Sequence, residues 1–217
     1  MQKTSWLFVD LDGTLIDTLP YLTSVFFEFG KKAGITLTKE DFALCNGPSI
    51  REVVMYLKEK FHLPDSVEEL ENLYHEKLRN IRGKFRPRPY AKAALKKLRA
   101  QGWKCALVTS ARKSYAVDFL RRNGMSDLFD FLACGDEVQN AKPDPEIYEL
   151  AKKRAGNGYF IALEDSENGI QAAKNAGCVA LRFEAGNTES FFSVSSFRDL
   201  CDRQKRKILF YTMGRFL

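Results

Sequence analysis

Phe8-Val9-Asp10-Leu11-Asp12-Gly13-Thr14-Leu15 is the stretch on which the rest of the chain is organised. The apolar run at residues 6–9 reads as a buried parallel strand. Two aspartates one residue apart close it, and a glycine and a threonine follow. Open α/β sheets hold their ligands outside the carboxyl ends of the strands, so Asp10 and Asp12 stand where chemistry is normally done. Side chains two apart in extended chain point the same way. Two converging carboxylates repel unless a cation neutralises them or one stays protonated. A hard divalent cation answers that need, with Mg²⁺ the default. The plainer alternative is an acidic strand-end turn with a glycine for positive φ, and the later motifs argue against it.

Downstream, the spacing becomes helical. Leu15, Ile16, Leu19, Leu22, Val25, Phe26 and Phe29 recur at three and four, with Gly30 or Gly34 as the stop. Thr38-x-x-Asp41 and Ser66-x-x-Glu69 read as helix starts, Asn46-Gly47-Pro48-Ser49 as a turn, and residues 50–61 as a helix that Pro64 ends. Arg86-Pro87-Arg88-Pro89 is a stiff joint whose arginines read as solvated or steering charges. Beyond it, helices and strands alternate. Strands are expected at 103–109, 129–134, 159–163 and 178–183, and helices at 90–101, 111–123, 144–154 and 168–176, with a short helix near 195–200. That alternation predicts an α/β fold, a Rossmann-like parallel sheet with helices on both faces. The expected domains are an α/β core of residues 1–15 and 88–217 and an inserted α-helical cap of residues 16–87, overhanging the strand ends.

The 217 residues, 45% hydrophobic and 29% charged, fit a soluble globular protein of one domain plus an insertion. No apolar run is long enough to cross a membrane, and the first strand begins too early for a signal peptide. A cytoplasmic protein is expected. Cys45, Cys105, Cys134, Cys178 and Cys201 are scattered, with no Cys-x-x-Cys pair, and read as small buried hydrophobes rather than a zinc cage or disulfide frame. The net charge of +6 is concentrated at the end, where Arg203, Lys205, Arg206, Lys207 and Arg215 stand against Asp202. Such a tail reads as a solvated end, and nucleic acid is not expected as a partner.

Four strand ends carry polar groups: Asp10 and Asp12, then Thr109-Ser110, then Lys142, then Glu164-Asp165. In a parallel sheet all four face one edge. Alone, each fits a duller role: a turn, a cap, a surface lysine. Together they are complementary. Asp10 and Asp165 can hold a metal, Thr109 and nearby N–H groups can bond phosphate oxygens, and Lys142 is a point charge suited to phosphate. This is the composition of a phosphoryl-transfer site. No Walker loop, Gly-x-Gly-x-x-Gly or Gly-x-Ser-x-Gly elbow is present. His62 and His75 read as solvated or core residues.

These motifs, Asp10-Leu11-Asp12-Gly13-Thr14, Thr109, Lys142 in Ala141-Lys142-Pro143-Asp144-Pro145, and Glu164-Asp165-Ser166, resemble the haloacid dehalogenase-like superfamily over nearly the whole chain. The insertion after the first motif resembles the subfamily with a helical cap. Asn168-Gly169-Ile170-Gln171-Ala172-Ala173 is similar to phosphoglycolate-phosphatase-like and β-phosphoglucomutase-like members. The resemblance implies a phosphatase of a small phosphorylated metabolite. Asp10 would be the nucleophile that becomes an aspartyl phosphate, and Asp12 the general acid and base. Mg²⁺ would be held by Asp10, the Asp12 carbonyl and Asp165, with Glu164 nearby. Thr109, Ser110 and Lys142 would bind the phosphoryl group. The dehalogenases lack the second aspartate, so Asp12 favours phosphate chemistry. Gly47 in its loop, and Arg51, resemble a substrate-specificity element. The mutase pattern sets an arginine nearer the turn glycine than Arg51 stands, which leaves a phosphosugar mutase as the alternative. A monomer or weak dimer is expected.

Overall fold

The computed structural model describes residues 3–45, 50–184 and 193–202. The turn read at Asn46-Gly47-Pro48-Ser49 and the basic end from Arg203 onward lie outside the described residues. In chain order the elements are β1 (Thr4–Val9), α1 (Leu19–Lys32), α2 (Lys39–Cys45), α3 (Ile50–Phe61), α4 (Val67–Arg82), α5 (Ala91–Arg99), β2 (Lys104–Thr109) and α6 (Lys113–Arg122). Then come β3 (Phe131–Cys134), α7 (Glu146–Ala155), β4 (Gly158–Glu164), α8 (Glu167–Asn175), β5 (Val179–Phe183), β6 (Ser193–Val194) and α9 (Phe197–Cys201). The described residues fall into two compact units, one comprising residues 1–17 and 86–217 and the other Thr18–Phe85.

In the first unit six strands form a sheet in the order β3-β2-β1-β4-β5-β6, every ladder parallel. β1 is central, with Phe8 opposite Ala106 on one side and Ala162 on the other. Its residues are apolar without alternation because both faces are covered. On one face Trp6 and Phe8 pack with Ile147, Tyr148 and Ala151 of α7 and with Ala172 and Ala173 of α8. On the opposite pleat Leu7, Val9, Cys105 and Leu107 are equally buried, and α5 packs on β2. The small residues opposite Phe8 leave room for its ring, which stacks on Phe160 with centroids 5.5 Å apart.

The second unit is wholly helical among its described residues. Val25, Phe26 and Phe29 of α1, Val54 and Leu57 of α3 and Leu70 and Tyr74 of α4 make its core. α4 opens with the expected capping box, in which Ser66 Oγ accepts from Glu69 N at 3.2 Å and Glu69 Oε2 from Ser66 N at 2.8 Å. No helix among the described residues is long and apolar enough to cross a membrane.

Several expectations are corrected. Leu15 and Ile16 are not the start of a helix. They close the turn after β1, where Leu15 N donates to Asp10 O at 3.2 Å and Ile16 N to Leu11 O at 2.9 Å. Their side chains are buried core groups, so the helical spacing they suggested is coincidental. Ile16 and Pro87, joined in an antiparallel bridge, lie with the α/β unit. Of the two glycines read as the stop, Gly34, at φ +73°, follows the end of α1, while Gly30 is buried inside the helix against Leu37. α5 begins after Tyr90, whose φ of 64° is not helical. The two-residue β6 follows what read as the last strand. Cys105, Cys134 and Cys178 are buried as expected, but Cys45 and Cys201 are only half-buried; all five are free thiols.

Candidate active site

Because β1, β2, β3 and β4 are parallel, their carboxyl ends share one edge, and the candidate residues follow those ends directly. β1 delivers Asp10 and Asp12, β2 ends on Thr109, Lys142 lies in the loop between β3 and α7, and β4 ends on Glu164 with Asp165 next. Asp10 is 7% exposed, and its backbone N–H donates to Leu163 O at 3.0 Å, tying it to the end of β4.

Lys142 is the hub. Its Nζ donates to Asp10 Oδ1 at 2.9 Å, to Val108 O at 3.2 Å, and to Glu164 Oε1. Its side chain is 7% exposed. The Tyr148 hydroxyl also donates to Glu164 Oε1, and the ammonium lies 5.3 Å from the Tyr148 ring centre. Burial works against the Lys142 charge, but the carboxylates of Asp10 and Glu164 outweigh it and raise the ammonium above its usual range. Burial, and then the Asp10 charge, push Glu164 up, against the pull of Lys142 and Tyr148. Burial and Asp10 also raise Asp165. Burial, then Glu164, keeps the Tyr148 phenol protonated. Three carboxylates thus share one ammonium in a poorly solvated place.

Gly13, at φ +91°, lies directly against Asp165; a Cβ there would sit 2.0 Å from Asp165 Oδ2. Thr14 Oγ1 donates to Asp165 Oδ1 at 3.0 Å. Asp12 is exposed, and its Oδ1 accepts from the Tyr115 hydroxyl at 3.2 Å. Thr109 is 1% exposed; its Oγ1 accepts from Ala111 N at 3.0 Å, which leaves its own hydroxyl hydrogen as a donor. Ser110 is exposed and, with Gln139, Asn140 and Lys142, lines a cavity of about 110 Å³. Arg51 belongs to the helical unit, where it donates to Glu71 at 3.0 Å. Gly47 lies outside the described residues.

Tyr148, Tyr115 and Arg88 were not anticipated as site residues. Tyr148 had a readable signal: it falls on the inward stripe of α7 with Ile147 and Ala151, and a buried tyrosine hydroxyl requires a partner. Arg88 was read as solvated, yet its guanidinium donates to Gly13 O and Asp17.

Asp10, Glu164 and Asp165 each offer an oxygen within 4.8 Å of the others. The set is all carboxylate, the donor type of a hard divalent ion. It carries more negative charge than Lys142 offsets, and the buried Glu164 Oε2 has no hydrogen-bond partner. The residues therefore fit Mg²⁺.

The fold is an α/β fold that gathers aspartates at the carboxyl edge of its sheet. The sequence profile of haloacid dehalogenase-like hydrolases matches residues 7–182, and the chain belongs to that family. It is similar to a phosphorylated carbohydrates phosphatase of Thermotoga maritima, 32% identical over 171 residues that cover 77% of this chain and 79% of that one. It is also similar to a phosphoglycolate phosphatase of Vibrio cholerae, 27% identical over 211 residues, 86% of this chain and 87% of that one. Among solved structures, a candidate β-phosphoglucomutase of Thermotoga maritima superposes with a TM-score of 0.79 at 26% identity, covering 97% of this chain and 99% of that one.

Proposed function

We propose that the protein is a Mg²⁺-dependent phosphatase of a small phosphorylated metabolite, working through an aspartyl phosphate on Asp10. The observation that carries this reading is the buried Lys142 ammonium between Asp10 and Glu164, where Asp10 and Glu164 cluster with Asp165 and a second, exposed aspartate, Asp12, stands two residues after Asp10. Lys142 holds the Asp10 carboxylate in place for attack on phosphorus. Asp12 gives a proton to the leaving oxygen, then takes one from the water that hydrolyses the acyl phosphate. Lys142 and the Thr109 and Ser110 hydroxyls hold the phosphoryl oxygens. Tyr148 and Glu164 keep Lys142 in place from behind. Asp10, Asp165 and the Asp12 carbonyl would hold Mg²⁺, with Glu164 nearby; the bound ion neutralises phosphoryl charge. The helical unit, with Arg51, would choose the substrate.

The second reading, a phosphosugar mutase, is favoured by the likeness to the candidate β-phosphoglucomutase. A panel of sugar phosphates, phosphoglycolate and pyrophosphate separates the two. Phosphate release that needs Mg²⁺, stops with chelator and is absent in Asp10→Asn supports the phosphatase. Isomerised sugar phosphate with little free phosphate selects the mutase. Release that persists undiminished in Asp10→Asn rejects both.

A further inference from the structure

We propose that Arg88 is a positioning residue for the Asp12-Gly13-Thr14 turn, acting through the Gly13 carbonyl. The proposal rests on the phosphatase reading for its catalytic consequence and on geometry for the rest. Arg88 Nε and Nη2 both donate to Gly13 O, at 3.2 and 2.7 Å. Nη2 also donates to Asp17 Oδ1 at 3.2 Å, and Nη1 lies 3.2 Å from Asp17 Oδ2. The guanidinium carbon lies 4.8 Å from the Phe183 ring centre, and the side chain is 15% exposed. The Arg88 backbone N–H donates to Leu15 O at 2.8 Å. One residue from the joint at 86–89 therefore grips the turn after β1 at three places: Gly13, Leu15 and Asp17.

The grip has a direction. On its Cα side Gly13 is against Asp165, with no room even for a methyl group. On its carbonyl side it is held by Arg88, and its own N–H donates to Ile16 O at 2.9 Å. Gly13 is thus held at its N–H, its Cα and its carbonyl, and the residue that follows Asp12 fixes the course of the turn from which the exposed Asp12 side chain starts. A planar fork suits two acceptors at once; a lysine ammonium cannot keep the same set while stacking on Phe183.

The test uses the full chain with Arg88→Ala and Arg88→Lys. The first readout is hydrogen–deuterium exchange of the Gly13, Leu15 and Ile16 amides. These should exchange about tenfold faster or more in both variants, while amides of the β1 and β4 ladders keep their rates. The second is steady-state kinetics on the best panel substrate with Mg²⁺. kcat should fall about 30-fold with KM little changed, the size expected when a reacting group is displaced by less than an ångström. Millimolar ethylguanidinium should restore kcat in Arg88→Ala and leave wild type unmoved. Unchanged turn exchange in folded variants overturns the proposal. So does a kcat within twofold of wild type, a kcat loss that ethylguanidinium leaves untouched, or failure of both variants to fold, which would make Arg88 a stability residue. A wild type that releases no phosphate from any substrate refutes the phosphatase reading instead, and the exchange measurement still decides whether Arg88 holds the turn.

Discussion

Replacing Lys142 by methionine keeps the length of the stem and removes the ammonium on which the site is built. In wild type that ammonium is 2.9 Å from Asp10 Oδ1, in contact with Glu164 Oε1, and 7% exposed. Deleting it strands two carboxylates that burial already disfavours. Breaking a buried pair from one side costs about 3–5 kcal/mol, or about 10 °C in Tm for a chain of this size. Urea unfolding followed by tryptophan fluorescence is the assay, because Trp6 and Trp103 both lie in the α/β unit and report its unfolding selectively. The gap between the two proteins should depend on pH. The raised Lys142 pKa contributes stability to wild type that is complete below the lysine's ordinary value and lost only above it. Glu164, already pushed up to about 8 with the lysine present, climbs further without it. A carboxyl raised in the folded state stabilises folding as pH falls, so both proteins gain stability below pH 8, and only the variant, whose Glu164 titrates higher, also gains as pH falls toward 8 from above. The gap therefore grows as pH rises above 8 and stays nearly constant from pH 8 down to 5. A difference below about 1 kcal/mol at pH 8, or one that does not grow between pH 8 and 10, would refute the electrostatic account of the hub.

Gly169→Ala tests the space behind Glu164. A helical alanine should gain up to about 1 kcal/mol, but its Cβ would fall 2.1 Å from Glu164 Oε2. A net loss of about 1–3 kcal/mol is expected, with kcat lowered as Lys142 shifts; a stabilised, fully active variant would sink the idea. At the rim, Arg154, then Cys134 N and Lys113, hold Glu137 down to about 2 from its ordinary 4.5. Its folded pKa is depressed, so its contribution is present above pH 4.5 and lost as pH falls toward 2. Its partners are one-third to half exposed, which limits the contribution to about 1 kcal/mol. Glu137→Gln should cost that much at pH 7 and nothing near pH 2, as acid-titrated denaturation curves would reveal.

What could be read from residues alone follows the range of the interaction. Asp10, Thr109, Lys142 and Glu164-Asp165 were legible because each follows an apolar run and parallel strands bring such ends to one edge. The capping boxes at Thr38 and Ser66 were legible because their partners are three residues away. Leu15 and Ile16 misled because periodicity counts burial without seeing that the chain reverses direction. Arg88 misled because its partners Gly13 and Asp17 are more than 70 residues back in the chain. A charged residue between prolines reads as solvated when its carbonyl and carboxylate partners are out of sequence view. β6 was missed because two residues carry no alternation, and it is defined only by its ladder to Arg182 and Phe183.

The central place of β1 has a consequence for biosynthesis. It is made before both its neighbours, for Trp6 pairs with Lys104 on one edge and Phe160 on the other. At about 5–20 residues per second the ribosome leaves its second edge open for roughly ten to thirty seconds. Meanwhile Thr18–Phe85, whose contacts are local, has a complete apolar core of its own to collapse onto. β1 is flat, apolar and rich in β-formers, the profile of a segment that pairs with the wrong neighbour when left unattended. The strand that leads into both aspartates is thus the one left longest without a partner in the nascent chain, and losses of yield on expression should trace to β1 and its late partners before they trace to the helical insertion.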